Sequence, residues 1–481
     1  MKCKEVITLK ENKIIDFNRR TYLSVVLMLF LLMVVAIVIT YVIEQGTFAT
    51  YIDAAGNEVL DYTKYQKSDN QGGINIFKGL FSPILVLFTS DGLGLIMLSI
   101  FIVVIAGAFQ VMDSTNGMKV MVTSVIEKFK NSRLLLVALM TLIFMLFGSF
   151  FGLFEEMLAL LPIIVLLAIS LGYDGFTGFL ICIVGCAFGF ASAITNPFTV
   201  IIASELLGVS PMYNIWFRIC VFVVMYLFLM GFILLHIRKI SKKPTSSPTY
   251  ETDNIKRESL DLNVKGENDK LVLKTYSIFL LIALFVTITV TSVESLRGLT
   301  VLFMTLVFLI GGILAGYIAS KDFKKTLDVF KKGAISAFPT ILLILMASSI
   351  KFILEEGNVL ATIANSISLF VGGKDPLVMA IMIYIIIVFI EFFISSSTAK
   401  AVFLMGMLSI VNINLSKELY VLLYLFGDGY TNILFPTSPV LLLGLSMIGM
   451  NYFSWVKRGK WFFLINLLLV IGIIMLAVLV Y

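Results

Sequence analysis

Glu155 and Glu156 lie side by side inside an apolar block that runs from 134 to 171. Asp428 stands between two glycines in Phe426-Gly-Asp-Gly-Tyr430, and Lys400 closes the run Ser395-Ser-Ser-Thr-Ala-Lys400 inside a third apolar block, 376–412. A carboxylate at the centre of a bilayer costs about 2.5–3.5 kcal/mol on insertion scales. Two adjacent ones are retained if they bind something or reach water. The chemistry open to them is capture of a substrate ammonium or guanidinium, a sodium site, or a proton relay. The structural alternative is a salt bridge with Lys400 or a carboxylate resting at a helix N-terminus. The same cost argument applies to Asp428, whose flanking glycines permit an unwound backbone. Lys400 is placed either to neutralise a carboxylate or to pair structurally, whereas Glu391 and Lys351 read as lying nearer a headgroup region.

Two stretches break their hydrophobic segments with the same residue types. The first is Phe188-Gly-Phe-Ala-Ser-Ala-Ile-Thr-Asn-Pro-Phe-Thr199, and the second is Phe426-Gly-Asp-Gly-Tyr-Thr-Asn-Ile-Leu-Phe-Pro-Thr-Ser-Pro439. Paired interruptions in two halves point to a secondary transporter's binding site. Unwound backbone at membrane depth leaves N–H groups that attract a carboxylate and carbonyls that attract a cation. Asn196 and Asn432 supply both donors and acceptors. Thr195, Thr199, Thr431, Thr437, Ser438, Ser395, Ser396, Ser397 and Thr398 complete the candidate substrate- or ion-binding set, each also able to bond harmlessly within its own helix.

These residues must be positioned by membrane helices. Hydrophobic residues make up 59% of the 481, and mean hydropathy is +1.02, which excludes a soluble domain. The expected fold is all-α and polytopic. Single spans are expected at 22–44, 93–111, 176–207, 214–237, 275–293, 299–319, 336–354, 418–450 and 461–480. The blocks 134–171 and 376–412 are too long for one helix and read as re-entrant hairpins. The run 22–44 is too long for a signal-peptide core.

Basic residues cluster before the first span (Lys13, Arg19, Arg20), in 238–274, in 320–333 and before the last span (Lys457, Arg458, Lys460). With both hairpins returning to their own side, these groups all fall in the cytoplasm of a plasma-membrane protein. The N-terminus is then cytoplasmic, the 45–90 loop outside, and the C-terminus extracytoplasmic. The polar segment 241–270 reads as disordered. The expected organisation is therefore 1–240 as a first repeat with its leading helix, 241–274 as a cytoplasmic linker, and 275–481 as an extra helix plus a second repeat.

At an offset of 240, Gly117, Gly189 and Val200 fall on Gly357, Gly429 and Val440, and one residue off that register Tyr213-x-x-Trp216-x-Arg218 recurs as Tyr452-x-x-Trp455-x-Lys457. The stretch 113–133 is basic and its partner 355–375 carries Glu355 and Glu356, so the copies are expected on opposite membrane faces as inverted repeats.

The formal charge of +6 sits in loops and implies lipid rather than nucleic acid as the neighbour. One histidine and four scattered cysteines (Cys3, Cys182, Cys186, Cys220) argue against a metal site or an enzyme, and no phosphate-binding Gly-x-x-x-x-Gly-Lys-[Ser/Thr] run is present. No cofactor is expected beyond a coupling sodium ion or proton.

Thr40-Tyr-Val-Ile-Glu-Gln-Gly-Thr-Phe48, Gly152-x-x-Glu155-Glu156, Leu171-Gly-Tyr-Asp174, Thr195-Asn-Pro-Phe-Thr199, Phe426-Gly-Asp-Gly-Tyr-Thr-Asn432 and Pro436-Thr-Ser438 resemble the YfcC-like branch of the C4-dicarboxylate anaerobic carrier family, within the wider ion-transporter superfamily. The resemblance spans nearly the whole chain. It implies an elevator-type carrier, commonly a homodimer, in which two opposed hairpins and two broken helices enclose one site. It also implies basic amino acids as cargo, including arginine–ornithine exchange, with dicarboxylates carried in another branch. The chain departs from the branch at Ser395-Ser-Ser-Thr-Ala-Lys400, where Pro-Ser-Gly-Ser-Gly-Gln is usual, and at Glu44-Gln45-Gly46, where Pro-Ala-Gly is usual. On the residues alone, the excess of carboxylates over Lys400 favours a cationic cargo. A sodium- or proton-coupled dicarboxylate carrier is the alternative.

Overall fold

A computed structural model describes residues 19–52, 58–68, 72–89, 92–129, 132–259, 268–371, 374–394, 397, 400–401, 404–405 and 415–481. The protein is mostly helical and built to sit in a membrane. Among the described residues seven helices are long and apolar enough to cross a bilayer: Gly92–Ser114, Arg133–Phe151, Ile215–Lys242, Asp269–Val290, Thr300–Ser320, Phe323–Glu356 and Tyr452–Val480.

Other apolar helices are shorter. Met157–Ser170 has 14 residues and Pro376–Glu391 has 16. At 1.5 Å per residue they reach about 21 and 24 Å, short of the roughly 30 Å hydrocarbon core. Each lies in one of the two blocks expected as hairpins. The first hairpin turns after a π-helical segment, Phe147–Phe151, at Gly152, whose φ of 67° lies in the left-handed region that glycine tolerates. The second turns after Glu391, and only Ser397, Lys400, Ala401, Leu404 and Met405 of its outgoing arm are described.

The two interrupted spans are each split. The expected span 176–207 is Gly175–Ala191, a break, and Pro197–Leu207. The expected span 418–450 is Lys417–Asp428, a short turn at Tyr430–Ile433, and Pro439–Met447. Both restart in the same way. Asn196 precedes Pro197 and its side chain accepts from Phe198 N–H, while Ser438 precedes Pro439 and accepts from Leu441 N–H. Proline at the first helical position loses nothing, because its missing N–H would have no partner there.

Buried apolar side chains form three cores. The largest gathers both hairpins, both broken helices and the long helices Ile215–Lys242 and Tyr452–Val480. A second joins Arg19–Val42 to Phe338–Glu356. A third packs Gly92–Ser114 against Asp269–Ser292 and Thr300–Ser320. Small residues set that last contact: a Cβ on Gly312 would lie 2.6 Å from Ala108 Cβ, and one on Gly316 would lie 2.1 Å from Val111 Cγ1.

Two expectations change outside the membrane helices. The 45–90 segment is partly ordered as an antiparallel pair, Gly46–Ile52 with Glu58–Lys67, followed by short helices at Ile76–Leu80 and Ser82–Leu85. The pair is pinned to the second half, since Gly46 N–H donates to Asn358 O and Tyr65 Oη lies 2.9 Å from Thr362 Oγ1.

The segment read as disordered, 241–270, carries a helix, Tyr250–Ser259, that clasps both halves; residues 260–267 lie outside the described set. Asp253 accepts from Gly175 N–H at 2.9 Å, Arg257 donates to Tyr173 O, and on the other side Thr252 and Lys256 donate to Ile448 O and Met447 O.

His236, the one histidine, is buried beneath this clasp at 2.9 Å from Asp174, which also accepts from Ser247 Oγ. Burial alone would raise the Asp174 carboxyl. The hydrogen bonds and charge of His236, with those of Thr177 and Ser247, instead hold it below its ordinary value. A polar composition suggested disorder, but these buried hydrogen bonds supply the ordering that apolar area does not.

Candidate transport site

The four irregular elements converge. The tip of the first hairpin closes the first break: Ser149 O accepts from Ile194 and Thr195 N–H, both at 3.2 Å, and Ser149 Oγ accepts from Ile194 N–H at 3.0 Å. Asn196 Nδ2 donates to Gly148 O at 3.1 Å while its Oδ1 caps Phe198 N–H. The arms meet the broken helix without side chains between them. A Cβ on Gly148 would lie 2.1 Å from Cys186 O, and one on Gly189 would lie 1.9 Å from Met145 O. Cys186 and Cys182 are small buried donors that cap Leu153 O and Met157 O at the tip.

The second half is assembled in a similar way. Lys400 Nζ contacts both Asp428 Oδ1 and Glu391 Oε2. Lys400 and Asp428 are fully buried, and Glu391 is 2% exposed. Tyr424 donates to Ser397 O, and Phe392 stacks edge-on against Phe435 at 5.4 Å. The breaks of the two halves touch directly, since a Cβ on Gly429 would lie 2.0 Å from Ala191 N. Thr431 Oγ1 and Asn432 Nδ2 donate to the carbonyls of Gly427 and Asp428, so they brace the unwound turn.

Glu155 and Glu156 follow the turn at Gly152 and lead into Met157–Ser170. Glu156 is 6% exposed and precedes the helix Met157–Ser170 without capping it, and its Oε2 has no hydrogen-bond partner among the described residues. Glu155 is half-buried, repels Glu156, and also faces the charge of Asp428 across the two halves. Asp428 Oδ2 likewise has no partner among the described residues. Lys400 therefore holds Glu391 and Asp428, and Glu155, with Glu156 beside it, faces Asp428 from the other half. An ion in such surroundings pays a desolvation penalty of several kcal/mol, and removing one member of a buried pair costs about 3–5 kcal/mol.

Of the expected site residues, Glu155, Glu156, Lys400, Asp428, Thr431, Asn432, Asn196 and Ser397 are brought to this convergence. Lys400 pairs with Asp428 and Glu391 rather than with the Glu155–Glu156 pair. Thr199 and Thr437 are buried with hydroxyls that lack partners among the described residues, Ser438 caps its helix, and Thr195 is half-buried. No contact among the described residues ties these four to the carboxylates. Ser395, Ser396 and Thr398 lie outside the described residues.

Glu391 corrects an expectation: it is a buried ion-pair partner and not a headgroup residue. Its cost at membrane depth equals that of Asp428, and Lys400 nine residues on was the available signal. Lys351 pairs with Glu355 at 3.3 Å. Ser149 was missed because a serine beside a glycine in an apolar helix has no distinctive pattern.

Comparison with known proteins places the chain. It is 28% identical over 383 residues to an Escherichia coli K12 protein named "Putative basic amino acid antiporter YfcC", covering 76% of this chain and 74% of that one. It is 26% identical over 388 residues to an uncharacterized Haemophilus influenzae protein, covering 79% and 74%. Among solved structures it aligns with the Alcanivorax borkumensis YdaH transporter at 16% identity and a TM-score of 0.45, over 94% of this chain and 97% of that one. It aligns with Neisseria gonorrhoeae MtrF, described as an antimetabolite efflux pump, at 17% identity and a TM-score of 0.46, over 95% of each. The family model for the C4-dicarboxylate anaerobic carrier matches residues 23–481, and the chain belongs to that family.

Proposed function

We propose that this multi-pass membrane transporter is a secondary active exchanger of amino acids, with a basic amino acid such as arginine or ornithine as cargo. The observation that carries the reading is the excess of acidic side chains: Lys400 contacts Glu391 and Asp428, while Glu155, with Glu156 beside it, faces Asp428 from the other half. A cationic side chain entering between the first tip and Asp428 would offset that excess, whereas a second carboxylate would add to it. The cargo's α-carboxylate is assigned to the half-helix N-termini near Asn196 and Ser438. Glu155 or Glu156 meets the cationic group. The name of the E. coli relative points the same way.

The separation of the cores supports an elevator mechanism. Most buried apolar side chains of the hairpins and broken helices share one packed body, while Arg19–Val42, Thr300–Ser320 and much of Gly92–Ser114 pack in two others that would serve as scaffold, with Ile102, Ala106, Ala159 and Leu442 at the seams between them. Inverted repeats are supported by the recurrence of hairpin, broken helix and long helix, the last entered through Asn214 in one half and Asn451 in the other. The short outgoing arm of the first hairpin supports a re-entrant reading. The basic loops favour a cytoplasmic N-terminus, an extracytoplasmic C-terminus and the plasma membrane. A homodimer follows from the family resemblance.

The family description favours a second reading, a sodium- or proton-coupled C4-dicarboxylate carrier. Thermal unfolding of the purified protein separates the two, because a ligand that binds the folded state alone stabilises it. Arginine and ornithine should raise the unfolding temperature, while citrulline, which lacks the charge, and succinate should not. Stabilisation by succinate alone would replace the first reading with the second.

A further inference from the structure

We propose that Lys400 is a resident counter-ion that stands where a dissociable coupling cation would otherwise bind, so that the transport cycle requires neither sodium nor an added proton. The inference rests on reading the convergence of hairpins and breaks as the transport site.

Three observations carry it. Lys400 is fully buried and touches two carboxylates, Asp428 at the second break and Glu391 at the base of the second tip. Those carboxylates come from separate pieces of backbone, as ligands of a bound ion do, and the lysine is the one group that neutralises either of them among the described residues. Asp428 also keeps Oδ2 without a partner among the described residues, and it faces Glu155 of the opposite tip.

An ammonium is a compact charge with three donors on a flexible four-carbon stem, so it can hold two carboxylates and release one without leaving the site. A dissociable ion in this place would have to be recaptured in every cycle. The tethered one need not be, and Asp428 stays compensated when the cargo departs. The charge count gives the test. Glu391, Lys400 and Asp428 carry one positive and two negative charges. Lys400→Gln leaves two negative charges with no counter-charge, and adding Glu391→Gln returns the triad to its original net charge.

The experiment is exchange in proteoliposomes in sodium chloride against N-methyl-D-glucamine chloride, at pH 6 and pH 8. Labelled arginine is offered to ornithine-loaded vesicles, and labelled succinate to succinate-loaded ones. The cation arms are read on whichever cargo the wild type moves, so transport of succinate alone would end the basic amino-acid reading and still decide this one. The wild type should run within about twofold in all four buffers. Lys400→Gln should be at least tenfold faster with sodium or at pH 6 than in sodium-free buffer at pH 8, and Lys400→Gln/Glu391→Gln should lose most of that dependence.

A tenfold sodium requirement in the wild type would overturn the proposal. So would a monodisperse Lys400→Gln that runs at the wild-type rate in sodium-free buffer at pH 8, or one that is inactive in every buffer. If Lys400→Gln does not yield monodisperse protein, Lys400→Arg and the double variant are compared by unfolding temperature. The arginine variant should be indifferent to sodium and the double variant slightly stabilised by it. Equal sodium responses in wild type, Lys400→Arg and the double variant would overturn the proposal.

Discussion

Replacing Glu156 by glutamine should make the protein more stable and less able to carry a basic amino acid. Glu156 is 6% exposed, and its Oε2 has no hydrogen-bond partner among the described residues. A buried polar group without a partner costs about 1–3 kcal/mol, and more if charged. Its neighbour Glu155 adds repulsion. Glutamine keeps the size of the side chain, removes the charge, and can donate to an adjacent carbonyl. The empty site should therefore gain about 1–2 kcal/mol, a rise of roughly 1–2 °C in unfolding temperature for a chain of this length.

Binding a cation should suffer in the other direction. A hydrogen bond to a charged group is worth about 1.5–3 kcal/mol, and each 1.4 kcal/mol is tenfold, so arginine affinity should fall about 10- to 150-fold. Differential scanning fluorimetry and equilibrium binding on the same preparation read both. Two results would refute the reasoning. A variant destabilised by several degrees would mean that Glu156 has a structural partner. Unchanged arginine affinity would mean that it does not meet the cargo.

Other perturbations separate support from function. Asp428→Asn should abolish exchange and cost about 3–5 kcal/mol, less to the extent that Glu391 holds Lys400; chemical denaturation of Asp428→Asn, Glu391→Gln and the double variant measures the coupling. Gly429→Ala should lower the yield of monodisperse protein and cost at least about 1–3 kcal/mol, because its Cβ would meet Ala191 N at 2.0 Å, and a well-behaved variant would disprove the direct contact of the two breaks.

Asp174→Asn should cost about 1–3 kcal/mol at pH 7 by unpairing His236 and Ser247 beneath the clasp helix. Because the folded Asp174 carboxyl lies below its ordinary value, its contribution is full above about pH 3.9 and lost as pH falls through the folded value. Burial moves Asp253 the opposite way, so wild type minus Asp174→Asn, followed by unfolding temperature from pH 7 to pH 3, isolates the Asp174 share. A difference that grows on acidification would contradict it.

Much of this architecture is legible because a bilayer penalises polar residues so heavily. The interruptions at Thr195-Asn-Pro and Gly427-Asp-Gly, and the Glu155–Glu156 pair, stand out against long apolar runs, and the structure places them at one convergence. Lengths were less legible. The run 336–354 continues a helix that begins with Phe323–Ser336, because an amphipathic stretch at the surface has no apolar signal. Pairing was not legible at all. Nothing in the sequence says that Lys400 chooses Glu391 and Asp428 over Glu155, since that depends on how the second hairpin lies against the second break. The linker helix Tyr250–Ser259 was hidden for a related reason. Its order comes from Asp253, Thr252 and Arg257 reaching main-chain groups of two distant loops, contacts that composition cannot reveal.

The central claim is that the acidic convergence carries a cationic amino acid, and counterflow tests it most directly. Proteoliposomes loaded with unlabelled ornithine are placed in trace labelled arginine, and succinate-loaded vesicles in trace labelled succinate, each with and without sodium. The account predicts transient accumulation of arginine driven by internal ornithine alone, lost in Glu155→Gln and in Asp428→Asn. Succinate accumulation with no movement of arginine would contradict it, and its dependence on sodium would then decide whether those carboxylates hold a coupling cation.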